Sequence, residues 1–222
     1  AKYFAGHSLG EYSALCCADS ISFDQTIKLL KYRGEAMQNA IPGGEGGMMA
    51  ILGQSFNEVT NIINDNKNNF LCYVANDNSN GQIVISGKKN DLELFGVELK
   101  RKNIKFVNLP VSAPFHCPLM KNAKEEMENR ILETKFNDPQ VSIISNVTAE
   151  AQNKSEDIKK LLIQQIEKPV RWRESVNTMI NNGVNKFIEV GPGKVLSGLI
   201  KRIDRKVKLN QVNNLIDLKN IT

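Results

Sequence analysis

The chain has 222 residues, 29 basic against 24 acidic, and a formal charge of +5. That length supports one large or two modest domains with a sizeable core, and the excess of positive charge is too mild to imply nucleic-acid binding. No apolar run approaches the ~20 residues of a membrane span, and Cys16, Cys17, Cys72 and Cys117 have neither metal-ligand spacing nor a disulfide framework. Reduced thiols are expected, and with no basic-then-apolar leader in this sequence they fit a cytosolic or organelle-matrix protein, although a targeting segment would be lost with any missing N-terminal part.

Lys2-Tyr3-Phe4-Ala5 suits a short buried strand, and Glu11 to Ala18 suits a helix. Between them lies Gly6-His7-Ser8-Leu9-Gly10, a G-x-S-x-G turn. A serine on such a strand-to-helix elbow stands exposed, with small neighbours that let a carbonyl approach. The helix N-terminus behind it offers N–H groups and positive dipole to a developing oxyanion. The chemistry is acyl transfer through a seryl ester; a chance Gly-Ser-Gly turn is the competing reading. The sequence opens at Ala1 and reaches the elbow by residue 8. Such an elbow sits mid-sheet, so flanking strands are expected before it and the chain reads as a fragment.

Phe23 to Ala40 is a second helix, with Phe23, Ile27, Leu30 and Met37 at near-helical spacing. Ile41-Pro42-Gly43-Gly44-Glu45-Gly46-Gly47 breaks it. Strands are then expected at Met48–Leu52, Phe70–Ala75, Gln82–Ser86 and Ile104–Leu109. Helices are expected at Ser55–Asn66, opened by a Ser55/Glu58 capping box, and at Asn90–Lys102. That order is βαββαβ, a ferredoxin-like unit. It makes residues 47–111 a small subdomain inserted between 1–46 and 112–222. Beyond it, helices at Pro118–Leu132, Glu156–Gln165, Val170–Asn182 and Lys194–Ile203 alternate with strands at Val141–Ser145, Lys186–Val190 and Val207–Val212. The class is α/β, with a mainly parallel sheet covered on both faces.

A serine nucleophile needs a base, and there are two histidines. His7 adjoins Ser8, so its side chain should point away, though it can line the pocket. His116 sits between Pro114 and Pro118, which stiffen a strand-to-helix junction; it is either the base or an incidental loop histidine. Arg33 falls near the stripe of Leu29, Leu30 and Met37, so its guanidinium needs a partner. That partner is a bidentately held substrate carboxylate or an acid such as Glu35. The basic clusters Lys201/Arg202/Arg205/Lys206/Lys208 and Lys100/Arg101/Lys102 read as solvated helix faces, or as a docking patch for an acidic partner.

The chain resembles the malonyl-CoA:acyl-carrier-protein transacylases along essentially its whole length. The resemblance rests on Gly6-His7-Ser8-Leu9-Gly10-Glu11, Arg33-Gly34 with Met37-Gln38, Asn78 to Gly87, Val111 to Met120, Lys168-Pro169-Val170-Arg171-Trp172 and Glu189 to Leu196, in that order and spacing. It implies an α/β-hydrolase-like core with an inserted ferredoxin-like subdomain. It implies Ser8 as nucleophile, His116 as base and the backbone carbonyl of Gln165, not an acid, as the group orienting that base. By the same resemblance Arg33 binds the malonyl carboxylate, Phe115 goes with malonyl preference, and Asn78 and His7 line the substrate pocket. Malonyl-CoA and acyl carrier protein are the implied partners. No metal or redox cofactor is implied, the phosphopantetheine being carried by the partner. The family's N-terminal Gly-Gln-Gly segment, which supplies a second oxyanion-hole N–H, has no counterpart in this sequence, leaving the Leu9 N–H. A serine esterase or thioesterase on the same elbow would instead place an acid between serine and histidine, with the histidine late in the chain. An inert fragment that keeps a carrier-docking surface is the non-enzymatic alternative.

Overall fold

The computed structural model describes residues 1–219. In chain order these form β1 (Phe4–Ala5), α1 (Leu9–Cys17), α2 (Phe23–Asn39), β2 (Gly46–Leu52), α3 (Phe56–Asp65), β3 (Cys72–Ser79), β4 (Gln82–Lys88), α4 (Lys89–Arg101) and β5 (Lys105–Asn108). A 3₁₀ turn (Pro118–Met120) leads into α5 (Lys121–Glu133), β6 (Ile143–Ile144), β7 (Ala151–Gln152), α6 (Ser155–Gln165) and α7 (Trp172–Asn181). Then come β8 (Lys186–Val190), α8 (Val195–Ile203), β9 (Lys208–Val212) and α9 (Leu215–Lys219). No helix among the described residues is long and apolar enough to cross a membrane.

From β2 to β5 the elements follow the expected βαββαβ order and build one antiparallel sheet, β3-β4-β2-β5. Period-two alternation sorts the β2 side chains. Met49 and Ile51 face α3 and α4, packing with Val59, Ile62, Phe95 and Leu99. Met48 and Ala50 face the other way, onto Ala75 and Val84, and against Leu109 and Phe115 of the loop that follows β5. Burial on both faces explains why Met48–Leu52 reads as a continuous apolar run. The Ser55/Glu58 capping box opens α3 as expected, and Ser22 with Gln25 forms another at the start of α2.

In the rest of the chain parallel pairs dominate, but they form two separate sheets. One is β1-β6-β7, with β1 and β6 parallel and β7 an antiparallel edge; the other is the parallel pair β8-β9. The first is short because β1 runs straight into the elbow and pairs only as Phe4↔Ile143 and Ala5↔Ile144. Helices α1, α2, α5 and α6 enclose a core of Tyr12, Leu15, Leu29, Met120, Met127, Ile131 and Leu162. A second core, with Val170, Trp172, Val176 and Leu199, lies under β8 and β9.

Three local expectations differ. Phe23 and Ile27 are 68% and 50% exposed; the buried face of α2 is Thr26, Leu29, Arg33, Ala36 and Met37. The helix expected from Pro118 opens as a 3₁₀ turn. The helix expected from Val170 starts at Trp172, because Val170 is held extended beside β3: its N–H donates to Ala75 O and its carbonyl accepts from Asp77 N. Next to that bridge the buried Asp77 carboxylate takes hydrogen bonds from Arg173 Nε and Nη2. These contacts tie β3, and with it Asn78, to the start of α7.

Candidate active site

Ser8 has φ 54 and ψ −111, a backbone state that L side chains seldom adopt and that marks a stored local strain. Gly6 makes it possible: a Cβ there would stand 1.9 Å from the Gly10 carbonyl oxygen. At Gly10 an added Cβ meets nothing within 4 Å, so only the first glycine is demanded by close approach. Gly10 N–H donates to His7 O and Glu11 N–H to Ser8 O, which turns the chain into α1. Leu9 opens that helix, so its N–H belongs to the set that a helix leaves without an intrahelical acceptor.

His116 lies 108 residues downstream, yet its Nε2 is 2.7 Å from Ser8 Oγ. Its Nδ1 is 2.8 Å from the backbone carbonyl of Gln165. A carbonyl only accepts, so Nδ1 carries the proton and Nε2 accepts from the serine hydroxyl. The ring is buried, and burial, aided by the Arg33 charge, lowers its pKa to about 3. It is therefore neutral at pH 7. Its backbone also has a positive φ, 58°. The loop is braced by Ser86 Oγ donating to Phe115 O and by Gln38 Nε2 donating to Ser112 Oγ. Half-buried Phe115 packs against both the helical core and the inserted sheet.

Arg33, 6% exposed, reaches the same point from α2. Its Nη2 donates to Ser8 Oγ at 3.0 Å and to Gln165 Oε1 at 2.9 Å. Its guanidinium lies over the Tyr12 ring, and its Nε, though buried, has no hydrogen-bond partner. Among the described residues it forms no salt bridge. Glu35, the acid considered from sequence, is exposed. The acid that acts on it electrostatically is Glu11, buried in the first turn of α1.

His7 points away from the serine. Its Nε2 is 2.8 Å from Asn78 Oδ1 and its ring packs 5.7 Å from that of Trp172. Burial lowers its pKa. The structure thus gathers Ser8, His116, Arg33 and Gln165 within direct contact, with His7 and Asn78 paired beside them, Leu9 at the helix start and Phe115 next to His116. Both basic clusters are exposed.

Sequence reasoning missed a polar layer under the elbow. Asn146 Oδ1 accepts from Ser8 N–H at 2.7 Å and its Nδ2 donates to Gly6 O at 2.8 Å. Glu11 Oε2 accepts from Asn146 N–H and from Gln165 Nε2. Burial raises the Glu11 pKa to about 7, against those two hydrogen bonds and Arg33. The available signal was an acid directly behind the elbow, in a helix turn that has to be buried.

A strained serine, a neutral imidazole on its hydroxyl and a carbonyl on the far side of that imidazole make up the arrangement that a serine nucleophile requires. Residues 1–216 match the acyl transferase domain model. Over 216 residues the chain is 44% identical to a malonyl CoA-acyl carrier protein transacylase of Bacillus subtilis, covering 96% of this chain and 68% of that protein. An acyl-carrier-protein-S-malonyltransferase structure from Bartonella henselae superposes with a TM-score of 0.95 at 43% identity, covering 99% of this chain and 70% of that one. A type II PKS acyl-carrier protein in complex with its malonyl-transacylase gives 0.94 at 38% identity, covering 99% and 71%. The chain belongs to the acyl transferase family, among the malonyl CoA-acyl carrier protein transacylases, and is an acyltransferase.

Proposed function

We propose that this chain moves a malonyl group from malonyl-CoA to the phosphopantetheine thiol of an acyl carrier protein, in fatty-acid biosynthesis, through an ester on Ser8. The observation that carries the reading is a buried guanidinium with no carboxylate ion pair among the described residues, 3.0 Å from a serine hydroxyl that also meets a neutral histidine. A malonyl thioester brings the missing carboxylate and the electrophile together.

Ser8 Oγ attacks the thioester carbonyl as His116 Nε2 takes the hydroxyl proton. The Leu9 N–H and the α1 N-terminus face the oxyanion. Collapse breaks the C–S bond, and His116 returns the proton to the departing CoA thiol. In the second half His116 deprotonates the carrier's thiol, which attacks the seryl ester; Ser8 leaves and regains its proton. The two halves share one site, a ping-pong scheme. Acyl exchange between sulfur and oxygen changes no oxidation state, so it calls on no redox cofactor, and the proposed proton transfers and oxyanion contacts are assigned to protein groups without a metal. Arg33 grips the malonyl carboxylate, Phe115 narrows the pocket against bulkier acyl groups, and His7 with Asn78 forms its wall. Gln165 orients His116 through its carbonyl. An esterase triad is less well supported, since the group on His116 Nδ1 is a carbonyl and not an acid.

We read the larger part, 1–46 with 112–222, as an α/β-hydrolase-like core. The β3-β4-β2-β5 order supports a ferredoxin-like insert at 47–111. We place this activity in the cytosol or an organelle matrix, the setting that four cysteines without a disulfide fit. The test is incubation with malonyl-CoA and holo acyl carrier protein, followed by separation of malonyl-carrier from free carrier. Transfer that depends on this protein supports the reading; none above the uncatalysed rate, from folded protein, rejects it and favours an inert docking unit.

A further inference from the structure

The Glu11 carboxylate takes no part in the steps above, yet it is 2% exposed and forms no salt bridge among the described residues. A carboxylate is not left there without consequence. Its Oε2 accepts two hydrogen bonds, from Asn146 N–H at 3.1 Å and from Gln165 Nε2 at 2.7 Å. Each donor then leads to the reacting groups. Asn146 holds the elbow on both sides of His7, at Gly6 O and at Ser8 N–H. Gln165 Nε2 also donates to Ser8 O, its Oε1 accepts from Arg33, and its carbonyl accepts from His116. Asn146 and Gln165 are both fully buried.

The chemistry of the pair matters as much as the distances. A buried amide can sit in two orientations that exchange its donor and acceptor ends. A carboxylate at one end of Gln165 and a guanidinium at the other select one of them. The Glu11 Oε2 accepts and so draws the amide nitrogen; the guanidinium only donates and so faces the amide oxygen. The same carboxylate fixes the Asn146 backbone and, with it, the side chain that holds Ser8 in its strained conformation.

We propose that Glu11 is a positioning residue for acyl transfer: through Asn146 and Gln165 it fixes the Ser8 backbone, the Gln165 amide and thereby the line from Ser8 Oγ to His116. It acts as an acceptor, so an amide oxygen at the same place serves nearly as well. The acyl-CoA arms of the test rest on the malonyl-transfer reading; the reagent arm does not.

The experiment compares the parent protein with Glu11→Gln, which keeps an acceptor, and with Glu11→Ala and Glu11→Met, which keep none. Methionine retains the length of the side chain should alanine fail to fold. Each folded protein is treated with a neutral fluorophosphonate, which reports on Ser8 and His116 without any acyl group, and separately with malonyl-CoA and acetyl-CoA. Loss of the acceptor should slow all three reactions by about 10²-fold, the scale of a misplaced reacting group. Glu11→Gln should recover to within about tenfold of the parent, and the malonyl to acetyl ratio should stay constant throughout. Parent-like phosphonylation in the folded variant without an acceptor overturns the proposal, as does a glutamine variant no better than it. A loss confined to malonyl-CoA also overturns it, since Glu11 would then act only on the Arg33 charge. If the parent is phosphonylated but not malonylated, the functional reading fails while the reagent arm still judges Glu11. A parent inert to every reagent removes the reactive serine and the proposal with it.

Discussion

Replacing Arg33 by alanine separates substrate recognition from catalysis. The side chain makes two hydrogen bonds, to Ser8 Oγ and Gln165 Oε1, and neither acceptor is charged. A malonyl carboxylate would be its first anionic contact. Losing one partner of a buried charge pair costs about 2–5 kcal/mol, which lowers malonyl-CoA acylation efficiency by roughly 30- to 5,000-fold. Acetyl-CoA has no carboxylate to lose. Its efficiency should change by less than about tenfold, because the Ser8 contact that disappears belongs to the resting site. The substitution also leaves Gln165 Oε1 without its donor, worth about 1–3 kcal/mol, against which stands relief from burying a cation. A fall of a few degrees in Tm is expected at this chain length, so rates are normalised to folded protein. Single-turnover acylation by each thioester, followed by intact mass, gives the ratio directly. Arg33→Lys should fall between parent and alanine, since it keeps charge but not the planar fork. An unchanged malonyl to acetyl ratio would refute the reasoning and assign Arg33 to the fold's internal bonding.

His116→Ala should abolish measurable acylation and alter the pH dependence of stability. The folded pKa, about 3, lies below the unfolded value of ~6.5. The unfolded chain therefore takes up a proton first on acidification, and stability is lost from pH ~6.5 downward. Glu11 works in the opposite sense: its folded pKa of about 7 lies above its unfolded one, so it gives up stability as pH rises toward neutrality. Removing His116 should thus make the melting midpoint fall less between pH 6.5 and 4.5 than in the parent; a steeper fall would contradict the sign. Gly6→Ala should fail to fold or lose more than the ~1–3 kcal/mol of ordinary overpacking, since its Cβ would strike backbone. Gly10→Ala meets open space and should be neutral or stabilising by up to ~1 kcal/mol within a helix; thermal melts of both variants decide.

The elements that could be read from sequence are those set by local pattern. The βαββαβ run followed from strand alternation, Gly-Pro breaks and the Ser55/Glu58 box, all of which act over a few residues. The elbow was legible because small residues at fixed spacing sit between a strand and a helix. What was not legible depends on partners far along the chain. On α2 the burial of Arg33 beside Leu29 and Met37 was legible from spacing, whereas the exposure of Phe23 and Ile27 was not, because hydrophobicity alone does not say which end of a helix face has a neighbour. Val170 stays extended because Ala75 and Asp77 of β3, far back in the chain, bond its N–H and carbonyl in place of a first helical turn. Asn146 and Glu11 meet across 135 residues, and no periodicity encodes such a polar contact. Gln165 entered only through family resemblance, and only as a carbonyl; its side chain, which joins Arg33 to Glu11, left no trace in the pattern.

The central claim is that Ser8 carries the acyl group. Parent protein and Ser8→Ala are mixed with malonyl-CoA, quenched in acid, digested and examined by peptide mass spectrometry. The account predicts a single malonyl addition on the parent peptide containing Ser8, discharged when holo acyl carrier protein is added, and no addition in Ser8→Ala. Malonyl label that persists in Ser8→Ala, or that sits on another peptide of the parent, would contradict it.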